Sequence, residues 1–353
     1  MAGNPIVLGT MLAALAALAF GVTTPFIQRL GSGLGPLATA ALLYLGAAMG
    51  AVSWPGRRRV RREASVTPHD IPRLLAISFF GAALAPTLFA WGLQRVPATY
   101  GSLLLNGEAI FTVGLAAAIH HEYVGRRVAL AVALMCAGGA VTVAGASSAG
   151  SIGLFGALAI VAAVFSWALD NVLTRPFAEL DPAAVVRVKA VCGATLTGAL
   201  ALLLGEARPI WTQVAGLLAC GATGYGVSLR LYLLGQRRIG AGRTGSVFAI
   251  APFVGALAAL LLGDKPAGGT TAVAAVLFIA GLALHLTERH GHEHAHGALS
   301  HDHAHSHDDR HHDHHEGPSD RAHAHPHTHA ARVHIHPHGP DAHHDHEHKR
   351  HDR

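Results

Sequence analysis

Two kinds of residue in this chain can do chemistry: a few ionisable side chains set in apolar sequence, and a terminal run of histidine. Glu108 stands in the middle of the apolar stretch Ala98–Ile119, two residues after Asn106. A carboxylate at that depth in a bilayer is costly unless it is protonated, paired or turned to a wet cavity, so it is a functional candidate by default. Glu108 could hold the amine of a small molecule or carry a coupling proton; the plainer alternative is an interhelical hydrogen bond that sets packing. Asn106 falls on a different helical face, so the two need not line one site. Asp170 and Asn171, in the last turns of one stretch, and Lys189, in the first turns of the next, could form an ion pair that gates a pathway. Arg187 and Arg230 suit snorkelling to the interface instead.

Of the 28 histidines, 24 follow Arg289. They run as His292, His294, His296; His301, His303, His305, His307; His311, His312, His314, His315; His323, His325, His327, His329; His334, His336, His338; and His343, His344, His346, His348. Neutral imidazole binds Zn, Ni, Co and Cu, and the interleaved Asp and Glu add oxygen donors. With almost no large apolar residue the segment cannot bury enough surface to fold alone, so a disordered tail with many exchangeable metal shells is expected. The same imidazoles would make the tail positive on acidification, a second use for them. No cofactor is required for the fold.

The elements that must position these groups are ten apolar stretches, each close to the roughly 20 residues a helix needs to cross a bilayer. They run Ile6–Phe26, Leu34–Trp54, Ile71–Leu93, Ala98–Ile119, Val128–Ala146, Ile152–Leu173, Ala184–Leu204, Trp211–Leu234, Thr244–Leu262 and Thr270–Leu286. The first is too long for a signal-peptide core and lacks a basic leader, so it is expected to be retained. Up to Arg289 the chain is net +10 and beyond it net −5, within a total of +5. That basicity belongs to loops beside anionic lipid, and nucleic acid is not an expected partner. Arg57, Arg58, Arg59, Arg61, Arg62, Arg126, Arg127, Arg175, Arg237, Arg238 and Arg243 fall in one set of alternate loops, against Arg29, Arg95, Arg208 and Lys265 in the other. Basic loops stay inside, which predicts cytoplasmic termini and tail in a bacterial inner membrane. Cys136, Cys192 and Cys220 lie in apolar sequence without metal or redox spacing and suit packing.

The apolar body reads as one unit written twice. Gly101-Ser102 in the fourth stretch aligns with Gly245-Ser246 in the ninth, Gln94-Arg95 with Gln236-Arg237, the corner His120-His121-Glu122 with Gly263-Asp264-Lys265, and Ala137-Gly138 with Ala280-Gly281. Five helices per unit is odd, so the second copy must cross in the opposite sense. Such inverted repeats form transporters with a midplane site between the halves, most often where helices are interrupted. Pro25, Pro86 and Pro252 are expected to interrupt the first, third and ninth helices. Pro86 with Gly81, and Gly221-Ala-Thr-Gly224-Tyr225-Gly226, fall in the third and eighth, which are equivalent in the repeat. Gly46-Ala-Ala-Met-Gly50 has the small-residue spacing of close helix packing.

On these residues the chain resembles the EamA-type transporters of the drug/metabolite transporter superfamily, in a bacterial branch with a histidine-rich C-terminal tail. The resemblance rests on Ser102-Leu-Leu-Leu-Asn-Gly-Glu108 running to His121-Glu122, and on Ala251-Pro252-Phe253 running to Leu262-Gly263-Asp264. More narrowly, it rests on Trp167-Ala-Leu-Asp170-Asn171, Gly224-Tyr-Gly-Val-Ser-Leu229 and Ala241-Gly-Arg243-Thr-Gly-Ser. The usual Glu of the second corner is Asp264 here, and His120 and His121 are additions. The resemblance implies an all-α membrane protein of ten transmembrane helices in two inverted five-helix repeats. Residues 1–147 form the first, 148–289 the second and 290–353 the tail.

No phosphate-binding loop or catalytic triad occurs, so a secondary transporter rather than an enzyme is expected. The leading expectation is a probable exporter of small organic metabolites or toxic compounds, with Glu108, Asn106, Asp170, Asn171, Lys189, Pro86, Tyr225 and Pro252 as candidates for substrate or coupling roles. The alternatives are a divalent metal (Ni, Co or Zn) transporter and a membrane-tethered metal buffer without transport. Expected partners are the lipid bilayer, a small-molecule substrate and divalent metal ions, with a homodimer left open.

Overall fold

A computed structural model describes residues 5–52, 71–119, 125–147, 150–174, 182–239, 241–265 and 268–286, and tail residues 290–296, 299–305, 323–329 and 332–338. The corner His120-His121-Glu122, the cluster Arg57 to Arg62, and His307, His311, His312, His314, His315, His343, His344, His346 and His348 lie outside the described residues.

The body is a bundle of apolar helices: α1 (Pro5–Leu30), α2 (Pro36–Val52), α3 (Ile71–Leu93), α4 (Ala98–Ile119), α5 (Arg126–Ser147), α6 (Ser151–Thr174), α7 (Pro182–Leu203), α8 (Trp211–Gln236, continuing to Ile239), α9 (Ala241–Phe248 and Ala251–Leu261) and α10 (Gly268–Leu286). Among the described residues nine of these are long and apolar enough to cross a membrane, and α2 is a shorter apolar helix. Large apolar side chains such as Phe155, Leu202 and Val276 cover the outside of the bundle. That surface needs lipid, because only a bilayer lets helices present apolar residues outward at no cost.

Since lipid is as apolar as the helices, close contact rather than hydrophobic burial must hold the bundle together. Small residues supply it. Gly46 and Gly50 of α2 face the backbone of Leu218 and Ala222 on α8, as the small-residue spacing predicts. The Ala-Gly pairs of α5 and α10 pack reciprocally, with Gly138 on Phe278 and Ala274, and Gly281 on Met135 and Ala131.

The repeat reappears as matching irregularities in the helices. π-helical turns interrupt α3 at Ser78–Leu84 and α8 at Gly221–Val227. Breaks after Leu104 and Phe248 divide α4 and α9 at positions that the Gly-Ser alignment makes equivalent. Pro86 follows the first π turn and Pro252 starts the second half of α9, so both act where the sequence puts them. Pro25 does not. It sits inside the continuous α1, contrary to the expected interruption. Proline leaves the carbonyl four residues back without its helical donor. At Gly21 that oxygen lies against Gly255, whose lack of a Cβ lets α9 come close enough to accommodate it.

The corners between α1 and α2, α3 and α4, α7 and α8, and α9 and α10 share one end of the bundle, the far end; the tail leaves from the other, the tail end. In their far-end halves α4 and α9 pack on each other and on α1. In their tail-end halves they part, Gly107–Ile119 lying on α5 and α6, and Ala241–Phe248 on α1 and α8. Polar bonds fasten the far end. Gln28 donates to Leu93 and Val96 carbonyls at 2.6 Å, and Gln94 donates to those of Gly31 and Leu34 at 2.9 and 3.0 Å. Gly263, at φ +88°, ends α9 in a left-handed turn that aims Asp264 at the start of α4. There the carboxylate accepts from the Thr99 N–H at 2.8 Å and its hydroxyl at 2.7 Å. The short Asp at this corner is thus a cap shared between the repeats.

In the tail the backbone is extended: β1 (His290–His296) pairs antiparallel with β4 (Arg332–His338), and β2 (Leu299–His305) with β3 (His323–His329). His-x-His alternation has the period of two that a strand requires, and the register sets His292 beside His336 and His301 beside His327.

Loss of a helix cap costs about 1 kcal/mol. Asp264→Ala is therefore expected to lower the thermal midpoint of the detergent-solubilised protein, Thr99→Val to lower it less, and the double variant to fall by less than the two together, since both remove one contact. A melting series over the four proteins checks this.

Candidate functional site

The proposed ionisable residues meet on the tail-end side of the α4 break. α4 restarts at Gly107, which places Glu108 in the first turn of its second half, partly buried. Asn171 of α6 donates through Nδ2 to Glu108 Oε1 at 2.6 Å, a bond between the two repeats. One residue earlier on α6, the buried Asp170 accepts from Lys189 Nζ of α7 at 2.5 Å and from Thr174 Oγ1 at 3.3 Å. The sequence count puts Asp170 in the last turns of its helix; the fold sets its carboxylate against Gly81, the middle residue of the π turn in α3. A side chain at residue 81 would overlap that carboxylate.

Gly81 earns its place through its carbonyl as well. Within the π turn the Ala85 N–H bonds back to Phe80, and Pro86 has no N–H, so Gly81 O receives no donor from its own helix. Tyr44 Oη of α2 donates to it at 2.6 Å and Trp167 Nε1 of α6 at 3.0 Å. One irregular turn thus ties together α2, α3 and α6 around the carboxylate pair.

An aromatic wall joins α1, α2, α8 and α9. Tyr225, in the π turn of α8, contacts Tyr44 and Phe20 with ring centroids 5.6 Å apart in both cases. Phe248 of α9 continues the wall, 5.8 Å from Phe20 and 5.2 Å from Tyr232. Among the described residues three buried side-chain hydroxyls lack a hydrogen-bond partner: Ser78, Tyr225 and Ser102. The first two sit in the two π turns and the third at the crossing of α1, α4 and α9, where its Oγ packs toward Gly255.

Asn106 is not in this set. It is buried and donates to Leu103 O at 2.9 Å, which stabilises the break rather than lining the gap, in keeping with the different face expected of it. Pro86 and Pro252 shape backbone, each at the start of a helix segment. Sequence reading missed Tyr44, Tyr232, Phe20 and Phe248, whose aromatic types signal only packing or interface anchoring until the helices are assembled. An apolar cavity of about 470 Å³ lies apart from the site, between α4, α5 and α6. Its lining, which includes Ile110, Phe111, Val132 and Phe165, offers nothing to recognise a polar molecule.

Removing one partner of a buried ion pair costs about 3 kcal/mol, because the other charge is left uncompensated. Lys189→Met and Asp170→Asn should each destabilise the protein strongly, and the double variant should melt closer to wild type than Lys189→Met does. A double-mutant cycle on thermal unfolding measures the coupling.

Comparison with known proteins agrees with this architecture. The EamA-like transporter family matches residues 7–144 and 154–287, one match per repeat. A protein of Methanothermobacter thermautotrophicus named "Uncharacterized transporter" is 24% identical over 230 residues, covering 64% of this chain and 67% of the relative. A Salmonella typhimurium protein named "Probable amino-acid metabolite efflux pump" is 31% identical over 227 residues, covering 60% of this chain and 74% of the relative. A solved crystal structure shares the fold with a TM-score of 0.58 at 18% identity, over 78% of this chain and 95% of that one. The two family matches, one on each five-helix half, establish that this multi-pass membrane protein belongs to the EamA-like transporter family.

Proposed function

We propose that the protein is a gradient-driven exporter of small organic metabolites or toxic compounds across the bacterial inner membrane, with the tail end of the bundle in the cytoplasm. The observation that carries this reading is the Glu108–Asn171 bond, which brings an ionisable group of one repeat onto the other at the point where α4 and α9 part. A midplane group shared by two inverted repeats is accessible from one side in one conformation and from the opposite side in the other. The name of the Salmonella typhimurium relative supports small metabolites as cargo and efflux as direction. The excess of Arg in the tail-end loops supports the cytoplasmic placement of that end.

The tail binds Zn, Ni, Co or Cu in this reading and buffers metal or regulates the exporter. The rival in which metal is the cargo requires a cluster of ligands within the helices, and among the described residues searched no group of three or more His, Cys, Asp or Glu is placed to hold an ion.

Cells lacking the protein, supplied with the full chain, a chain stopped after Arg289, or Glu108→Gln, separate these readings. Efflux of organic cargo is expected to fall about tenfold or more in Glu108→Gln, as for a group acting in the transport step, and to persist in the truncated chain. Cellular metal content should follow the tail alone. Metal content that depends on Glu108 as well would favour metal as cargo.

A further inference from the structure

We propose that the apolar hollow between α4, α5 and α6 holds one anionic phospholipid, with an acyl chain laid in the hollow and the phosphate beside Arg126 and Arg127. The site is separate from the Glu108 site and does not depend on what the protein carries.

Size and lining are the first observation. The hollow has a volume of about 470 Å³, and its walls include Ile110, Phe111, Gly114, Ala129, Val132 and Phe165. Protein interiors are close-packed and leave few voids larger than a water molecule, so a space of this size calls for an occupant. Water does not suit it. A buried water needs two to four polar partners, and among the described residues no lining side chain is polar. Small residues open the space: a methyl group built on Gly114 would meet no described atom within 4 Å, and Ala129 carries only a methyl group. Phe111 and Phe165, edge to face with centroids 5.3 Å apart, brace one side.

The second observation is where the hollow opens. Gly114, Ala129 and Phe165 are exposed, so it reaches the apolar surface of the bundle, where the surrounding medium is hydrocarbon. An acyl chain is the molecule that meets an apolar opening there. Depth agrees with this. α4 reaches the tail end at Ile119 and α5 leaves it at Arg126. At the rise of a helix, Ala129 and Val132 stand about 4.5 and 9 Å along the axis from Arg126. The hollow therefore lies in the tail-end leaflet, just inside the head-group level.

Charge is the third. Arg126 and Arg127 are exposed at the start of α5, whose first turn carries no acidic residue. Two adjacent guanidiniums at the rim of an apolar hollow match a phosphate joined to an acyl chain, as basic pockets between membrane helices match anionic head groups. A zwitterionic head group brings a cation of its own to the same arginines and gains less.

The test uses full-length protein in vesicles of equal parts phosphatidylglycerol and phosphatidylcholine, with a photoreactive diazirine in the acyl chain of one lipid or the other. Peptide mass spectrometry maps the adducts. The phosphatidylglycerol probe is expected to concentrate on residues 110–115 and 129–132, and the phosphatidylcholine probe to spread evenly over the apolar surface. Arg126→Gln and Arg127→Gln should each lower phosphatidylglycerol labelling of these segments about fivefold. Gly114→Leu, whose side chain enters open space, should remove it while labelling elsewhere and the melting point are kept; Ala129→Leu fills the same hollow from α5. Equal labelling by the two probes overturns the anionic assignment, and labelling of the two segments no stronger than of the rest of the surface overturns the site. Segment labelling that survives both filling variants places the chain elsewhere and overturns the site as well.

Discussion

A charge carried into a bilayer must be answered by another charge, a proton or water, and the centre of this protein is arranged around that requirement. Asp170 is answered by Lys189 within the second repeat, and Glu108 of the first repeat is answered only by the amide of Asn171. One carboxylate is therefore settled and the other is not. The settled pair fixes α6 against α7, and with Gly81 it fixes α3 against both; the unsettled one lies in the gap between the parted halves of α4 and α9.

The helix irregularities follow from the same constraint. Carbonyls and amides released inside a membrane must find partners in the protein. Pro86 and the π turn before it release the Gly81 carbonyl, and Tyr44 and Trp167 take it up. The break in α4 is closed by Asn106 on Leu103. These devices occur in matching pairs, π turns in α3 and α8 and breaks in α4 and α9, which is how an inverted repeat gives both halves the same places to bend. The far end is tied by Gln28, Gln94 and the Asp264–Thr99 cap.

Much of this was legible in the residues. The number of apolar helices, their inverted pairing, and the roles of Pro86 and Pro252 follow from period, spacing and the missing proline N–H, whereas the Ala-Gly pairs marked the repeat and their packing on each other emerged only with the fold. The pairing of Asp170 with Lys189 was legible as chemistry but not as depth, because counting residues from a helix end assumes every helix starts at the same level. The bond from Asn171 to Glu108 and the aromatic wall were not legible. They depend on which faces of α1, α2, α8 and α9 turn inward, and helices apolar all round carry no periodic signal of that. Pro25 misled because proline predicts a lost hydrogen bond, not a bend; the bend was avoided where Gly255 let another helix close over the freed carbonyl.

The parting of α4 and α9 around Glu108 is most directly tested by pulsed electron spin resonance on full-length protein in lipid. One label pair would sit at Ala118 and Ser246, in the tail-end halves, and a second at Ala98 and Leu261, at the far ends of the same helices. With the tail-end halves parted and the far-end halves packed, the first separation is the longer in the cargo-free protein, and an imposed ion gradient shifts the two in opposite senses. Tail-end halves found together in the cargo-free protein, or two separations that never change, would contradict a pathway built on these helices.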